Sequence, residues 1–142
     1  MGAVIGHELT HGFDSQGRLY DAQGNVRDWW TPADAQRFAA ETAKLAKQAD
    51  AFEILPGLRL NGALEVGENL ADVGGIALGY AALQQHLREH PEANRTIDGF
   101  TPSQRCFLAW AQLWPDKTNE GAMRQILPVD PHPPGVYRMV AP

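Results

Sequence analysis

Apolar side chains recur at helical spacing along most of this 142-residue chain, and short segments rich in Gly, Pro and Asp separate the runs. Gly2 to Phe13 has the composition of a buried helix, although no Ser, Thr, Asp or Asn caps its start. The following stretch, DSQGRLYDAQGNVRDWW, sets Asp14, Gly17, Gly24 and Asn25 around short apolar pieces, which predicts a small hairpin or ordered loop. Thr31 as N-cap, Pro32 at the first helical position and Asp34 in the first turn open a helix predicted from Pro32 to about Phe52. After a turn at LPGL, the pattern Leu64, Leu70, Val73, Ala77 and Leu78 predicts a long helix from Ala63 to about His90, stopped by Pro91. Thr101 and Pro102 repeat the Thr-Pro start, with Gln104 in capping-box position, and Phe107, Trp110 and Trp114 recur at helical spacing as core aromatics. A shorter helix from about Asn119 to Ile126 leads to LPVDPHPPGVYRMVAP, where the prolines predict no regular structure. The expected fold class is mainly α, in one domain.

Composition narrows the function classes. A net charge of −5, with twelve Lys and Arg scattered along the chain, gives no basic footprint, so nucleic acid is not an expected partner. No apolar run approaches ~18 residues, so no membrane contact is expected from this segment. The single cysteine, Cys106, cannot form an internal disulfide and reads as a structural thiol in an apolar helix.

The segment AVIGHELTHGF then stands out. It places His7, Glu8 and His11 among apolar residues, with the histidines four positions apart. On a helix that spacing brings both imidazoles to one face. Neutral imidazoles are good zinc ligands, and two of them one turn apart span adjacent corners of a tetrahedron, with Glu8 beside the open position. There Glu8 can act as general base for hydrolysis. Hydrogen-bonded core histidines are the alternative, and they would leave buried polar groups in search of partners.

A catalytic zinc site takes three protein ligands. The extended H-E-x-x-H-x-x-G-x-x-H pattern fails, because Asp14 and Gly17 stand where its glycine and third histidine belong. Glu41, Glu53, Glu65, Glu68 and Asp72 remain as carboxylate candidates, and spacing does not choose among them. Glu68 and Asp72 form an acidic i,i+4 pair on an apolar helix with no basic neighbour, an arrangement that is destabilising unless a cation sits beside it. Gly67, Gly74 and Gly75 in the same helix each cost ~1 kcal/mol relative to Ala, which points to close approach of another backbone.

VIGHELTHGFDSQGRLYDAQGNVRDWW, LNGALEVGENLADVGG and VDPHPPGVYR, in this order, resemble the catalytic half of the neprilysin and endothelin-converting-enzyme family of zinc metallopeptidases, over essentially the whole chain. The resemblance implies a gluzincin-type, thermolysin-like helical region that binds one Zn2+ per chain and hydrolyses oligopeptides. It implies His7, His11 and Glu68 as zinc ligands and Glu8 as the catalytic base. Asp72 belongs to the catalytic set, and Asp14 and Asp72 would hold the ligand imidazoles. It further implies His132 as the residue that stabilises the oxyanion and Arg138 as the group that binds a substrate carbonyl. Asp130 is close enough in sequence to orient His132. An extracytoplasmic location, secreted, periplasmic or membrane-anchored, also follows from the resemblance.

Family members carry several hundred residues before the zinc helix, including a sheet whose edge strand binds the peptide and a helical domain that closes over it. They also continue past the position of Arg138. Residues 1–142 are therefore expected to be a catalytic region truncated at both ends. Two rivals follow: a catalytically silent, zinc-stabilised helical module, and a helical interaction domain without metal. A second metal-like pattern, HLREH from His86 to His90, lies in polar surroundings before Pro91 and reads as a solvated helix terminus.

Overall fold

A computed structural model describes residues 1–141, and their order is mainly helical: α1 (Gly2–Thr10), α2 (Pro32–Asp50), β1 (Glu53–Leu55), β2 (Leu58–Arg59), α3 (Gly62–Glu89), α4 (Pro102–Ala111), α5 (Glu120–Ile126) and α6 (Gly135–Arg138). The helix starts follow their caps. Thr31, Asn61, Thr101 and Asn119 each accept a hydrogen bond from a first-turn backbone N–H, and Thr101 with Gln104 forms a complete capping box. Strands β1 and β2 pair antiparallel around Pro56 and Gly57, with Gly57 at φ +72°, so the expected turn carries a minimal hairpin. The expected loop after α1 is ordered by a short 3-10 turn (Gly17–Leu19), a single Tyr20–Val26 bridge and Asp21, whose carboxylate accepts from the backbone of Gln23 and Asn25. Among the described residues, no helix is long and apolar enough to cross a membrane.

Helix α3 is the axis of the molecule, and α1 lies against it at a glycine seam. A Cβ at Gly75 would overlap the Ala3 carbonyl and approach His7 N to 2.7 Å, while Gly74 leaves room for the Thr10 side chain. The close backbone approach expected from these glycines is present at Gly75, whereas Gly74 and Gly67 face the side chains of Thr10 and Asp14, and the seam brings the His7 turn of α1 within reach of the acidic turn of α3. On the other side of α3, a core of Ala49, Leu60, Leu127 and Tyr137 joins α2, α5 and the tail, with Phe52, Ile54, Leu58 and Met123 packed around it.

Three expectations change. The tail is not wholly irregular: Pro133 and Pro134 precede a short helix, α6, and prolines ahead of a first turn sacrifice no helical hydrogen bond. Helix α1 is not buried all round, since Ile5 and Leu9 are exposed on its outer side, Phe13 is exposed just beyond its end, and only Gly6 and His7 are buried. Of the predicted core aromatics only Trp110 is buried. Trp114 is half-buried, and Phe107 is exposed against Tyr80 at a ring distance of 5.3 Å.

Candidate metal centre

Helix α1 presents His7 and His11 one turn apart, and the glycine seam sets them beside Glu68 on α3. His7 Nε2 and His11 Nε2 lie 3.0 Å apart. Glu68 Oε2 is 3.4 Å from the first and Glu68 Oε1 is 3.4 Å from the second. One donor atom from each of the three residues falls within 4.8 Å of the others.

The far side of each imidazole is held by a carboxylate. His7 Nδ1–H donates to Asp72 Oδ1 at 2.9 Å, and His11 Nδ1–H donates to Asp14 Oδ2 at 2.7 Å. A carboxylate only accepts, so each Nδ1 carries the proton and each Nε2 turns a lone pair inward. Two lone pairs facing across 3.0 Å, beside a carboxylate, repel one another unless a cation lies between them. Tetrahedral zinc with nitrogen ligands at about 2.0–2.1 Å sets its ligand atoms roughly 3.3 Å apart, so the observed separations fit the ion.

Asp14 is itself fixed. Its Oδ1 accepts from the backbone N–H of Gln16 at 2.8 Å and of Gly17 at 2.7 Å. Burial would raise its carboxyl, but those two amides and the His11 imidazole outweigh it and hold the group below the usual range. Gly17 is required at this turn, because a Cβ there would overlap the His11 carbonyl.

Arg138 supplies the basic partner that the acidic pair lacks along its own helix. Its Nε donates to Asp72 Oδ2 at 2.8 Å, and its Nη2 donates to Asp72 Oδ1 at 2.7 Å and reaches Glu68 Oε2 at 3.4 Å. The guanidinium stacks 3.8 Å above the Trp114 ring, and Trp110 Nε1–H donates to the Arg138 carbonyl at 3.0 Å. Arg138 is therefore buried, unlike an ordinary tail arginine.

His132 is exposed and borders the same site. Asp130 Oδ1 accepts from both its backbone N–H (2.9 Å) and its Nδ1–H (2.8 Å), and its Nε2 lies 3.3 Å from Glu68 Oε1. The His132 backbone amide first, and then its ring, holds the Asp130 carboxyl below its usual range against partial burial. Glu8 is exposed at the rim. Together with Val4, His7, His11, Glu68, Trp110, Trp114, His132 and Arg138 it lines a cavity of about 250 Å³, room for a reacting bond and its neighbours.

Every site residue expected from the sequence thus falls in one place: His7, Glu8, His11, Asp14, Glu68, Asp72, His132 and Arg138. Sequence reasoning missed Trp110 and Trp114, which read as core aromatics. The signal that could have found them was a lone tail arginine opposite two unpaired carboxylates, which needs a flat surface to lie on once buried. His86 and His90 are exposed at the end of α3, their rings 4.5 Å apart, with Glu92 Oε1 3.2 Å from His90 Nδ1, and they join no metal-binding group among the described residues.

Comparison with known proteins bears on the same residues. The model of peptidase family M13 matches residues 1–142. The chain is 36% identical over 143 residues to neprilysin-11 of Caenorhabditis elegans, covering 99% of this chain and 17% of that protein. It is 38% identical over 147 residues to endothelin-converting enzyme 1 of Bos taurus, covering 99% of this chain and 19% of that protein. Among solved structures, the Mycobacterium tuberculosis zinc metalloprotease Zmp1 in complex with inhibitor superposes with a TM-score of 0.90 at 42% identity, over 96% of this chain and 22% of that one. The chain thus spans about a fifth of the length of these curated relatives.

Proposed function

The chain belongs to peptidase family M13, and from that premise we propose that it is the zinc-binding catalytic region of a metallopeptidase that hydrolyses peptide bonds in oligopeptides. The observation that carries this reading is the pair of inward-facing imidazole nitrogens 3.0 Å apart beside the Glu68 carboxylate, each imidazole locked from behind by an aspartate. His7, His11 and Glu68 would hold one Zn2+. When bound, the ion supplies Lewis acidity that lowers the pKa of a water and polarises a peptide carbonyl.

The remaining steps belong to the chain's own side chains. Asp72 and Asp14 keep the imidazole protons on Nδ1, so that both Nε2 atoms stay available as ligands. Glu8 lines the cavity without belonging to the ligand set, which suits a carboxylate that takes a proton from water and passes it to the leaving amine. His132 is held at Nδ1 by Asp130 and turns Nε2 toward Glu68, where it would stabilise the developing oxyanion. Asp72 and Glu68 occupy Nε and Nη2 of Arg138, which leaves Nη1 as the nitrogen for a substrate carbonyl. Asp72 acts at one remove from the substrate, since it fixes both His7 and Arg138. By likeness to the neprilysin group, its place of work is outside the cytoplasm, on peptides.

Glu8→Gln tests the assignment. It keeps size and hydrogen bonding but removes the base, so zinc content should stay at wild type while peptide hydrolysis falls by ~10²–10⁴ or more. Loss of zinc would place Glu8 among the ligands and sink its role as base. Bound zinc with no turnover that depends on Glu8 would instead identify a silent, zinc-stabilised module.

A further inference from the structure

Behind the metal centre, on the core side of α3, three side chains carry buried polar atoms without partners. They are both carboxyl oxygens of Glu65, both amide atoms of Asn69 and the hydroxyl of Tyr137. All three residues are fully enclosed by the chain itself. Glu65 and Asn69 are one helical turn apart on α3, and Tyr137 precedes Arg138 on α6. Tyr137 belongs to the apolar core and packs on Phe52 at a ring distance of 5.1 Å.

The electrostatics place Tyr137 beside Glu65, and Asn69 lies one turn along α3 from Glu65. Burial pushes Glu65 up to about 7, and the neighbouring Asp50 and Asp130 carboxylates add to it. The Asn61 backbone N–H pulls the other way, although it makes no geometric hydrogen bond to the carboxyl. Burial, with Glu65 and Asp72 close by, pushes the Tyr137 hydroxyl up to about 12, so it remains a phenol. The site therefore offers an acid O–H, an amide with donor and acceptor, and a phenol, inside a core that tolerates no unpaired group cheaply. Buried water is the ligand that such a set takes, since it makes about three hydrogen bonds to otherwise orphaned partners.

We propose that Glu65, Asn69 and Tyr137, bridged by ordered water, form one polar pin that fixes the Glu68 turn of α3 against α6, and that they are positioning residues for Glu68 and Arg138. The connectivity is direct. Asn69 is bonded in sequence to Glu68 and Tyr137 to Arg138, so a shift of either pinned residue moves the group that holds the metal or the group that holds Asp72. Trp110 fixes the same α6 turn through the Arg138 carbonyl. An apolar core alone would hold α6 with no preference for register, whereas hydrogen-bonded partners select one. The proposal rests on the metal-centre reading.

The test uses zinc alone and cobalt(II) alone as probes on the full chain and on Glu65→Leu, Glu65→Gln, Tyr137→Phe and His7→Ala. Glu65→Leu and Tyr137→Phe should weaken zinc by about tenfold or more and alter the visible absorption of bound cobalt, as expected when the support of a ligand is lost. Glu65→Gln keeps the hydrogen-bonding shape, and it should bind zinc and give the cobalt spectrum of the wild type. If Glu65→Leu fails to fold, Tyr137→Phe decides, because it removes one oxygen from an otherwise unchanged core. Wild-type zinc affinity and cobalt spectrum in Tyr137→Phe would overturn the proposal, whatever happens to the melting temperature without metal. Undiminished zinc binding by His7→Ala would overturn the metal-centre reading itself and so stands apart from failure of the pin.

Discussion

At Glu65 the sign of the pH dependence follows from burial. Its carboxyl titrates near 7 in the fold against 4.5 for the free side chain, so folding favours the protonated form. Below pH 4.5 both states are protonated and the residue costs nothing. Between pH 4.5 and 7 the unfolded chain releases a proton that the fold retains, and stability falls by up to about 3 kcal/mol. Asp14 and Asp130, whose values are lowered, act in the opposite sense and lose their contribution only at more acid pH. Denaturant unfolding from pH 5 to 8 should therefore show a decline that Glu65→Gln removes. An equal slope in the variant would mean that another group titrates. Spacing alone does not separate Glu65 from Glu68 as a carboxylate. The imidazoles and Glu8 stand out in the sequence because their spacing is local, whereas Glu68, the proposed third ligand, lies on a distant helix and needed the resemblance to be chosen. Nothing local in the sequence records that two carboxylates and two indoles enclose Arg138.

The α1–α3 seam is where element packing and chemistry meet. Gly75 has no room for a side chain against the Ala3 carbonyl and the His7 backbone, so Gly75→Ala must push α1 away. Overpacking of this kind costs about 1–3 kcal/mol, which outweighs the ~1 kcal/mol gained in helix propensity. Thermal melting should drop and zinc binding should weaken with it, since α1 carries His7 and leads directly into His11, the two proposed imidazole ligands. A higher melting temperature would mean that propensity wins and the contact is slack. The helix starts were legible to within a residue or two, because Thr-Pro and Asn caps satisfy first-turn amides locally. Helix α6 was not, because two prolines before it read as breakers when they in fact lead into its first turn.

Over the whole molecule, polar chemistry is concentrated inside and apolar surface is left outside. The buried set includes His7, Asp14, Glu65, Glu68, Asn69, Asp72 and Arg138, while Ile5, Leu9 and Phe13 at successive helical turns face out at 55%, 64% and 55% exposure. This apolar stripe runs along α1 and the turn after it, and it is the kind of exposed patch that marks an interaction surface. The mainly α fold was legible from periodicity, but which face of α1 is covered was not, since its apolar composition alone reads as burial on all sides. The metal centre lies within the described residues, so zinc binding is the most direct measure of the account. Zinc per chain should be one for the wild type and for His86→Ala with His90→Ala, and should fall far below one for Glu68→Ala at equal free metal. Full zinc occupancy of Glu68→Ala at wild-type affinity, or loss of zinc on removing His86 and His90, would contradict it.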